Sequence, residues 1–405
     1  MNFLDSMFIN HSSMKLSMKS YKILYQLYEK ITNYKPNEYP ITNNKKPYDE
    51  LVDKDVFRSI PIQIQTTIKK NHYVSKNVSY TLLSGRQICI HIFHKINEKD
   101  SFITELCDKM YIWLSFLDKY ANKICSMTLK IYIFLTEKEK KLSEEESGIE
   151  PINANTAFTF SCKQDNEICI YRKEECFKVF IHETFHSFGV DFSIMSQISA
   201  NKMISSKFKV LSIADKFKVP ASQEHFKVLN EDVDFRIYES YCESWTLVIN
   251  ILFMLYTYDK IEAKPQNFEL WKNRCEIYLT YENLWSIFQA NKVMNHYGIR
   301  ENLLSGYEII YEEKNTSPFA YYILKSYLIN NIDDFILWSD TNNFNVIFFS
   351  NKQKNVDKFC NFIYESSHNL KYAILLQECH SFILQNGKNK KWKKYVNSLR
   401  MSLYG

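Results

Sequence analysis

Strand-like and helix-like patterns occupy different parts of this chain, and their separation limits the fold more than any other feature. Alternating apolar and polar residues predict strands at Val78–Leu83, Gln87–Phe93, Leu129–Leu135, Thr156–Phe160 and Glu167–Arg172. One helix, Ser101–Ile124, is predicted after the second of these strands, and another follows the last. Beyond Asp191 the strand patterns largely vanish. This order is typical of an α+β protein whose N-terminal part holds a mixed sheet.

Helical periodicity dominates the C-terminal part of the chain. It predicts helices at Val233–Tyr258, Gln266–Tyr278, Glu282–Tyr297, Ser317–Asn330, Val356–Ser367 and Leu370–Gln385. A further amphipathic helix is predicted near the N-terminus, at Leu16–Tyr34. We therefore expect a helical N-terminal extension (1–60), an α/β part (61–192) and a mainly α-helical subdomain (193–405).

The composition indicates what kind of protein this is and which kinds of binding partner are not expected. The chain has 405 residues, of which 45% are hydrophobic, with only 7 glycines and 8 prolines, so an ordered globular protein is expected. The 51 basic and 46 acidic residues leave a net charge of +5, which indicates neither a nucleic-acid nor a membrane partner. The ten cysteines lack Cys-x-x-Cys spacing and no secretory signal is recognised. Free thiols and an intracellular, cytoplasmic location are therefore expected.

The segment Phe177–Gly189 contains the spacing His-Glu-x-x-His, formed by His182, Glu183 and His186. On a helix the two histidines are one turn apart, so both rings can reach one zinc ion at about 2.0–2.1 Å. The carboxylate of Glu183 can take a proton from a water molecule that the metal activates, without binding the metal itself. The opposite face is apolar and predicts packing against a sheet: Phe177, Ile181, Phe185 and Phe188.

A catalytic zinc site needs a third protein ligand. The pattern His-Glu-x-x-His-x-x-Gly-x-x-His would place this ligand at Phe192, which cannot bind metal. Asp191 misses that position by one residue but remains an alternative third ligand. Glu239 and Glu243 stand one turn apart on an otherwise apolar helix, where unpaired carboxylates are costly. We assign Glu239 as the ligand and Glu243 as the acceptor that orients a histidine. Exchanged roles, or two solvated glutamates, are the other interpretations.

The pair of motifs resembles the glutamate-zincin metallopeptidases, in which His-Glu-x-x-His is followed by Glu-x-x-x-Asp. This chain differs in having Glu243 in place of the aspartate and in a longer gap between the motifs. Four segments also resemble uncharacterised predicted metallopeptidases of large nucleocytoplasmic DNA viruses: 155–160, 167–175, 239–245 and 399–402. The resemblance implies a zincin-like fold and zinc-dependent peptide hydrolysis, in the host cytoplasm or in the virion if the chain is viral.

The resemblance also implies where a peptide would bind. In such zincins the strand before the metal helix is a sheet edge, and an extended substrate adds to it as a further strand. The corresponding residues here are Asn155, Thr156, Ala157 and Phe158.

A transition-state oxyanion needs a donor besides the metal, and His296 and Tyr297 are candidates by residue type. Tyr321 and Tyr322 are predicted to pack in the core. The function predicted from the sequence is thus a zinc metallopeptidase acting on peptide or protein substrates. The alternative is a non-catalytic zincin-like scaffold in which zinc is absent or structural, with a fourth protein ligand such as Cys242 or Asp191.

Overall fold

A computed structural model describes residues 2–8, 11–36, 39–44, 55–71, 73–142, 148–212, 233–262, 267–313 and 315–405. Within these residues the fold is mixed α/β, which agrees with the predicted α+β class. The first helices are α1 (Asn2–Met7), α2 (Met18–Thr32), α3 (Asp55–Arg58) and α4 (Ile62–Lys70). The predicted amphipathic helix is α2, which buries Leu24, Leu27 and Ile31.

The described strands form one large mixed sheet and one small pair. The large sheet contains β1 (Ile41–Asn44), β2 (Val74–Thr81), β3 (Gln87–His94), β4 (Thr128–Phe134), β5 (Ala157–Thr159) and β6 (Asp165–Ile170). Their order is β1-β2-β3-β4-β6-β5; β3, β4 and β6 run parallel and the other pairings are antiparallel. Every strand predicted from the sequence is confirmed with shifted ends. In addition, β1 extends the sheet into the segment that was predicted to be helical.

Helices make up most of what remains of the described chain. They are α5 (Asp100–Tyr120), α6 (Pro151–Ala154), α7 (Cys176–Ser187), α8 (Ile198–Phe208), α9 (Tyr238–Glu262), α10 (Phe268–His296), α11 (Arg300–Ser305), α12 (Lys325–Asn330), α13 (Ile332–Asn342), α14 (Gln353–Ser367), α15 (Leu370–Asn386) and α16 (Lys393–Asn397). A π-helical turn, Phe319–Leu324, leads into α12. The small parallel pair is β7 (Val210–Leu211) with β8 (Ile309–Ile310).

The prediction of two helices between residues 266 and 297 was wrong, because α10 runs through both without interruption. The residues between them, 279–281, include neither glycine nor proline, so nothing in the backbone stops the helix there. None of the described helices has the length and apolar character needed to cross a membrane.

Helix α7 is buried on all sides, because it packs against β5 and β6 and against α9. All of its residues except Phe177 are buried. The sequence predicted one apolar face and one metal-binding face; the structure encloses both. Trp113 of α5 donates its indole N–H to the Thr184 hydroxyl at 2.7 Å, which fixes α7 against α5. One core cluster includes residues from the extension, the α/β part and the helical part.

The C-terminal end of α7 is held by a glycine and a disulfide. Gly189 has φ +65°, in the left-handed region, and its N–H donates to the carbonyl of His186 at 3.1 Å. Cys162 donates its backbone N–H to the same carbonyl at 3.0 Å and forms a disulfide with Cys125. The prediction of free thiols was therefore wrong for these two cysteines, which are 37 residues apart and carry no motif spacing. The other eight are free.

Candidate metal centre

Helix α7 brings the two predicted histidine ligands together. The Nε2 atoms of His182 and His186 are 3.1 Å apart. Glu239, in the first turn of α9, places Oε2 at 3.0 Å from His182 Nε2 and 3.3 Å from His186 Nε2. The three atoms form a nearly equilateral triangle. Ligands held about 2.0–2.1 Å from a tetrahedral zinc lie about 3.3 Å from one another, so the triangle fits three corners of such a site.

The carboxylate of Glu239 supports the same fit. Its Oε2 is buried and, despite the short distances, has no hydrogen bond of acceptable geometry to either ring. Burial alone would raise the pKa of Glu239, but His186 and His182 outweigh it and hold the pKa well below its usual range. Burial alone would lower the pKa of His182, yet Glu243 and Glu239 raise it to about 9. The site therefore favours positive charge between the rings, which a proton or a metal cation can supply.

Glu243 contacts the outer nitrogen of His182. Its Oε1 lies 2.9 Å from His182 Nδ1, although the ring N–H is not aligned with the oxygen. Its Oε2 accepts a hydrogen bond from the buried ammonium of Lys178. Burial would raise the pKa of Glu243, but Lys178 and His182 outweigh burial and hold the pKa well below its usual range. Glu243 thus stays ionised beside His182, the position expected for an orienting acceptor rather than a ligand.

Asp191 serves the other histidine in the same way. Its Oδ2 lies 2.5 Å from His186 Nδ1, and its Oδ1 accepts hydrogen bonds from the Ser193 N–H at 3.2 Å and the Ser193 hydroxyl at 2.8 Å. The Cys242 thiol donates to Oδ2 at 3.1 Å. The Asp191 carboxylate and the Cys242 thiol therefore both lie next to Nδ1 of His186, the ring nitrogen that faces away from His182. The sequence offered Asp191 as an alternative ligand, and His186, Asp191 and Cys242 do form a second group that could hold a metal. With the ring proton on Nδ1, the contact to Asp191 would leave Nε2 of His186 available to a cation.

Glu183 lies beside the histidine pair at a small cavity. The cavity has a volume of about 30 Å³ and is lined by His182, Glu183 and Tyr321, among others. It has room for roughly one or two water molecules. Burial raises the pKa of Glu183, although the two histidines oppose this shift. A buried carboxylate with a raised pKa is a stronger base than an exposed one.

The predicted peptide-binding strand reaches the same cavity. Asn155, Thr156 and Ala157 line it together with His182 and Glu183. Strand β5 ends the order of the large sheet, so among the described strands its outer side is unpaired. Phe158 packs instead into a second core cluster, because successive side chains of a strand point to opposite faces.

Comparisons with known proteins place the chain in no family. No family model, no curated protein and no solved structure matches it. The resemblance to glutamate-zincins therefore stays a prediction from the two sequence motifs.

The structure does not bring the predicted oxyanion donors to the cavity. His296 ends α10 and its ring lies against Tyr297. The Tyr297 hydroxyl accepts the Ile149 N–H at 3.1 Å, and its ring packs on Tyr311. Neither His296 nor Tyr297 lines the cavity that contains His182.

Tyr321, which was predicted to pack in the core, is half-buried against the main core cluster and also lines this cavity. Its ring centroid is 6.2 Å from that of His182, and its side chain lines the cavity. Burial, reinforced by Glu239, raises the pKa of Tyr321 well above its usual value, so the hydroxyl stays protonated and able to donate. The neighbouring Tyr322 is buried, as predicted, and donates to the Leu399 carbonyl at 2.8 Å. The two adjacent tyrosines thus differ in their surroundings: Tyr321 borders the cavity and Tyr322 is enclosed in the core.

Proposed function

We propose that this protein is a zinc-dependent metallopeptidase. The observation that carries the proposal is the triangle of His182 Nε2, His186 Nε2 and Glu239 Oε2, at mutual distances of 3.0–3.3 Å. Zinc bound there would supply a Lewis acid that lowers the pKa of water and polarises the carbonyl of a peptide bond.

The residues of the chain provide the remaining chemistry. Glu183 takes the proton of the attacking water on its carboxylate and transfers it to the amine that leaves. The Tyr321 hydroxyl donates a hydrogen bond to the oxygen on which negative charge develops. The unpaired side of β5 holds an extended peptide by backbone hydrogen bonds, next to the cavity lined by Asn155 and Ala157.

The positions of Asp191 and Cys242 favour a catalytic site over a structural one. A structural zinc site is closed by a fourth protein ligand. Both residues face His186 Nδ1, where they form a separate group with His186 that could hold a metal. In the described part of the chain, the group at Nε2 of His182 and His186 contains only these two histidines and Glu239. A fourth position is therefore left for water.

The test separates metal binding from hydrolysis. In Glu183→Gln we expect one zinc per chain, as in the wild type, but hydrolysis of a mixed peptide library slower by about 10²–10⁴-fold, because the proton acceptor is lost. Glu269→Gln, at an exposed residue at the start of α10, is the control and should change neither quantity. Retained turnover in Glu183→Gln would show that Glu183 is not the proton acceptor. Absence of zinc from the wild type would refute the proposed zinc peptidase.

A further inference from the structure

A second cavity lies beside the first turn of α7, away from the residues that form the zinc triangle. It has a volume of about 250 Å³. Helices α5, α7 and α9 contribute its walls, and Tyr404 and Gly405 complete them. Neither His182, His186 nor Glu239 lines it. The proposed peptidase reaction makes no use of this space.

One wall of the cavity is apolar. It is formed by Phe102, Leu106, Phe177, Phe253 and Met254. The rings of Phe177 and Phe253 meet edge to face, with centroids 4.9 Å apart. A wall of this kind offers ordered water few hydrogen bonds and favours the hydrocarbon part of a ligand.

The polar part of the lining consists mainly of donors. Three lysines, Lys109, Lys173 and Lys178, are among the lining residues, and Glu105 is the one acidic side chain among them. Asn250 is 5% exposed, and its Nδ2 has no hydrogen-bond partner. A buried amide without a partner is costly unless a ligand or water completes it.

The lysines already have one carboxylate partner each. Lys109 pairs with Glu105 at 2.5 Å, and Lys173 pairs with Glu98 at 2.7 Å. Lys178 pairs with Glu243. An ammonium group has three N–H donors, so each lysine can accept a second anionic partner without losing the first.

We propose that this cavity binds a small monocarboxylate with an unbranched or aromatic apolar body. The volume admits about 10–12 non-hydrogen atoms. The carboxylate lies among the lysines and Asn250, and the apolar body lies against Phe253 and Met254. The cavity is linked to the candidate metal centre through the Lys178–Glu243 pair, but binding to it is measured without hydrolysis, so the two proposals can fail separately.

Calorimetric titration with sodium octanoate, which has the right length and charge, tests the proposal on the full chain. We expect saturable binding of one octanoate per chain with a Kd of roughly 0.1–1 mM. Octylammonium, of equal length and opposite charge, should bind at least tenfold more weakly. Absence of saturation below 10 mM octanoate, or equal binding of octylammonium, would overturn the proposal.

Variants locate the binding. Met254→Trp fills the cavity and should abolish octanoate binding, whereas Met203→Trp, at a half-buried methionine of α8, should leave the Kd unchanged. Lys109→Gln should weaken binding at least about fivefold, and Lys70→Gln, at an exposed lysine, should not. Circular dichroism and thermal unfolding confirm that each variant is folded. Unchanged binding in Met254→Trp would place octanoate elsewhere and refute the site.

Discussion

Replacing Asp191 by asparagine should impair zinc binding while leaving the size of the side chain unchanged. The Ser193 N–H and hydroxyl both donate to Oδ1, at 3.2 and 2.8 Å. They will therefore hold the amide oxygen of the asparagine at that position. The amide nitrogen then takes the place of Oδ2, 2.5 Å from His186 Nδ1. Because this group donates, Nδ1 must accept, and the ring proton moves to Nε2, the atom that should bind zinc.

The expected magnitude follows from the role of this contact. Loss of a partner that orients a metal-binding histidine typically weakens metal affinity about 10- to 100-fold, or about 1.4–2.7 kcal/mol. We expect Asp191→Asn to reach the upper part of this range, because it favours the wrong tautomer as well as removing the negative charge.

Competition titration with a chromophoric zinc chelator at pH 7.5 measures the effect. Asp333→Asn is a matched control, because Asp333 also accepts hydrogen bonds from the N–H and hydroxyl of one serine, Ser17, and is not part of the candidate metal centre. The control should bind zinc as the wild type does. Zinc affinity of Asp191→Asn within twofold of the wild type would refute the role given to Asp191.

Three further substitutions test other parts of the account. Tyr321→Phe should lower kcat/KM for peptide hydrolysis about 100-fold with zinc content unchanged, because one donor to the oxyanion is removed; steady-state kinetics and zinc analysis measure this. Glu175→Gln should destabilise the protein at pH 7 by about 1–3 kcal/mol in urea unfolding. Burial would raise the pKa of Glu175, but Lys140 and other cations lower it to about 2. Gly189→Ala should destabilise the protein by more than about 1–2 kcal/mol, which is the cost of placing alanine in a left-handed backbone conformation. The further loss is expected because the new Cβ would lie 3.2 Å from Cys125 Sγ.

Two of these substitutions have a control. The effect of Glu175→Gln should be full above pH 4.5 and shrink as the pH falls towards 2, because a lowered carboxyl pKa stabilises only while the group is ionised. Burial lowers the pKa of its partner Lys140, so the pair stabilises less than the Glu175 shift alone implies. Gly306→Ala is the control for Gly189→Ala, because Gly306 has a similar φ of +66° but open space around the new Cβ. Equal losses of stability in Gly189→Ala and Gly306→Ala would contradict the argument from the Cys125 contact. An effect of Glu175→Gln that does not depend on pH would contradict the ion-pair argument. Unchanged kinetics in Tyr321→Phe would contradict the role of Tyr321 as a donor.

The sheet and the metal helix could be predicted because their signals are local. The alternation of apolar and polar residues predicted the strands. The His-Glu-x-x-His spacing alone places His182 and His186 on one face of a helix. Glu239 was found by a physical argument, the cost of carboxylates on an apolar helix, and the structure brings it to the histidines. The same argument predicted that Glu243 orients a histidine, and the structure places its carboxylate at Nδ1 of His182.

The missed residues depend on long-range geometry. Tyr321 reaches the cavity from a π-helical turn, and nothing in the sequence distinguishes it from the buried Tyr322. Asp191 was recognised as close to the histidines, but only the turn after Gly189 decides which nitrogen of His186 it meets. The disulfide of Cys125 likewise joins loops that the sequence alone does not bring together.

X-ray absorption spectroscopy of the zinc-loaded protein measures the proposed coordination most directly. We predict one zinc per chain with two imidazole nitrogens and oxygen ligands at about 2.0–2.1 Å, and no sulfur at about 2.3 Å. In His186→Ala one imidazole should be lost. A sulfur ligand from Cys242, a fourth protein ligand that closes the site, or no bound zinc would contradict the proposed catalytic centre.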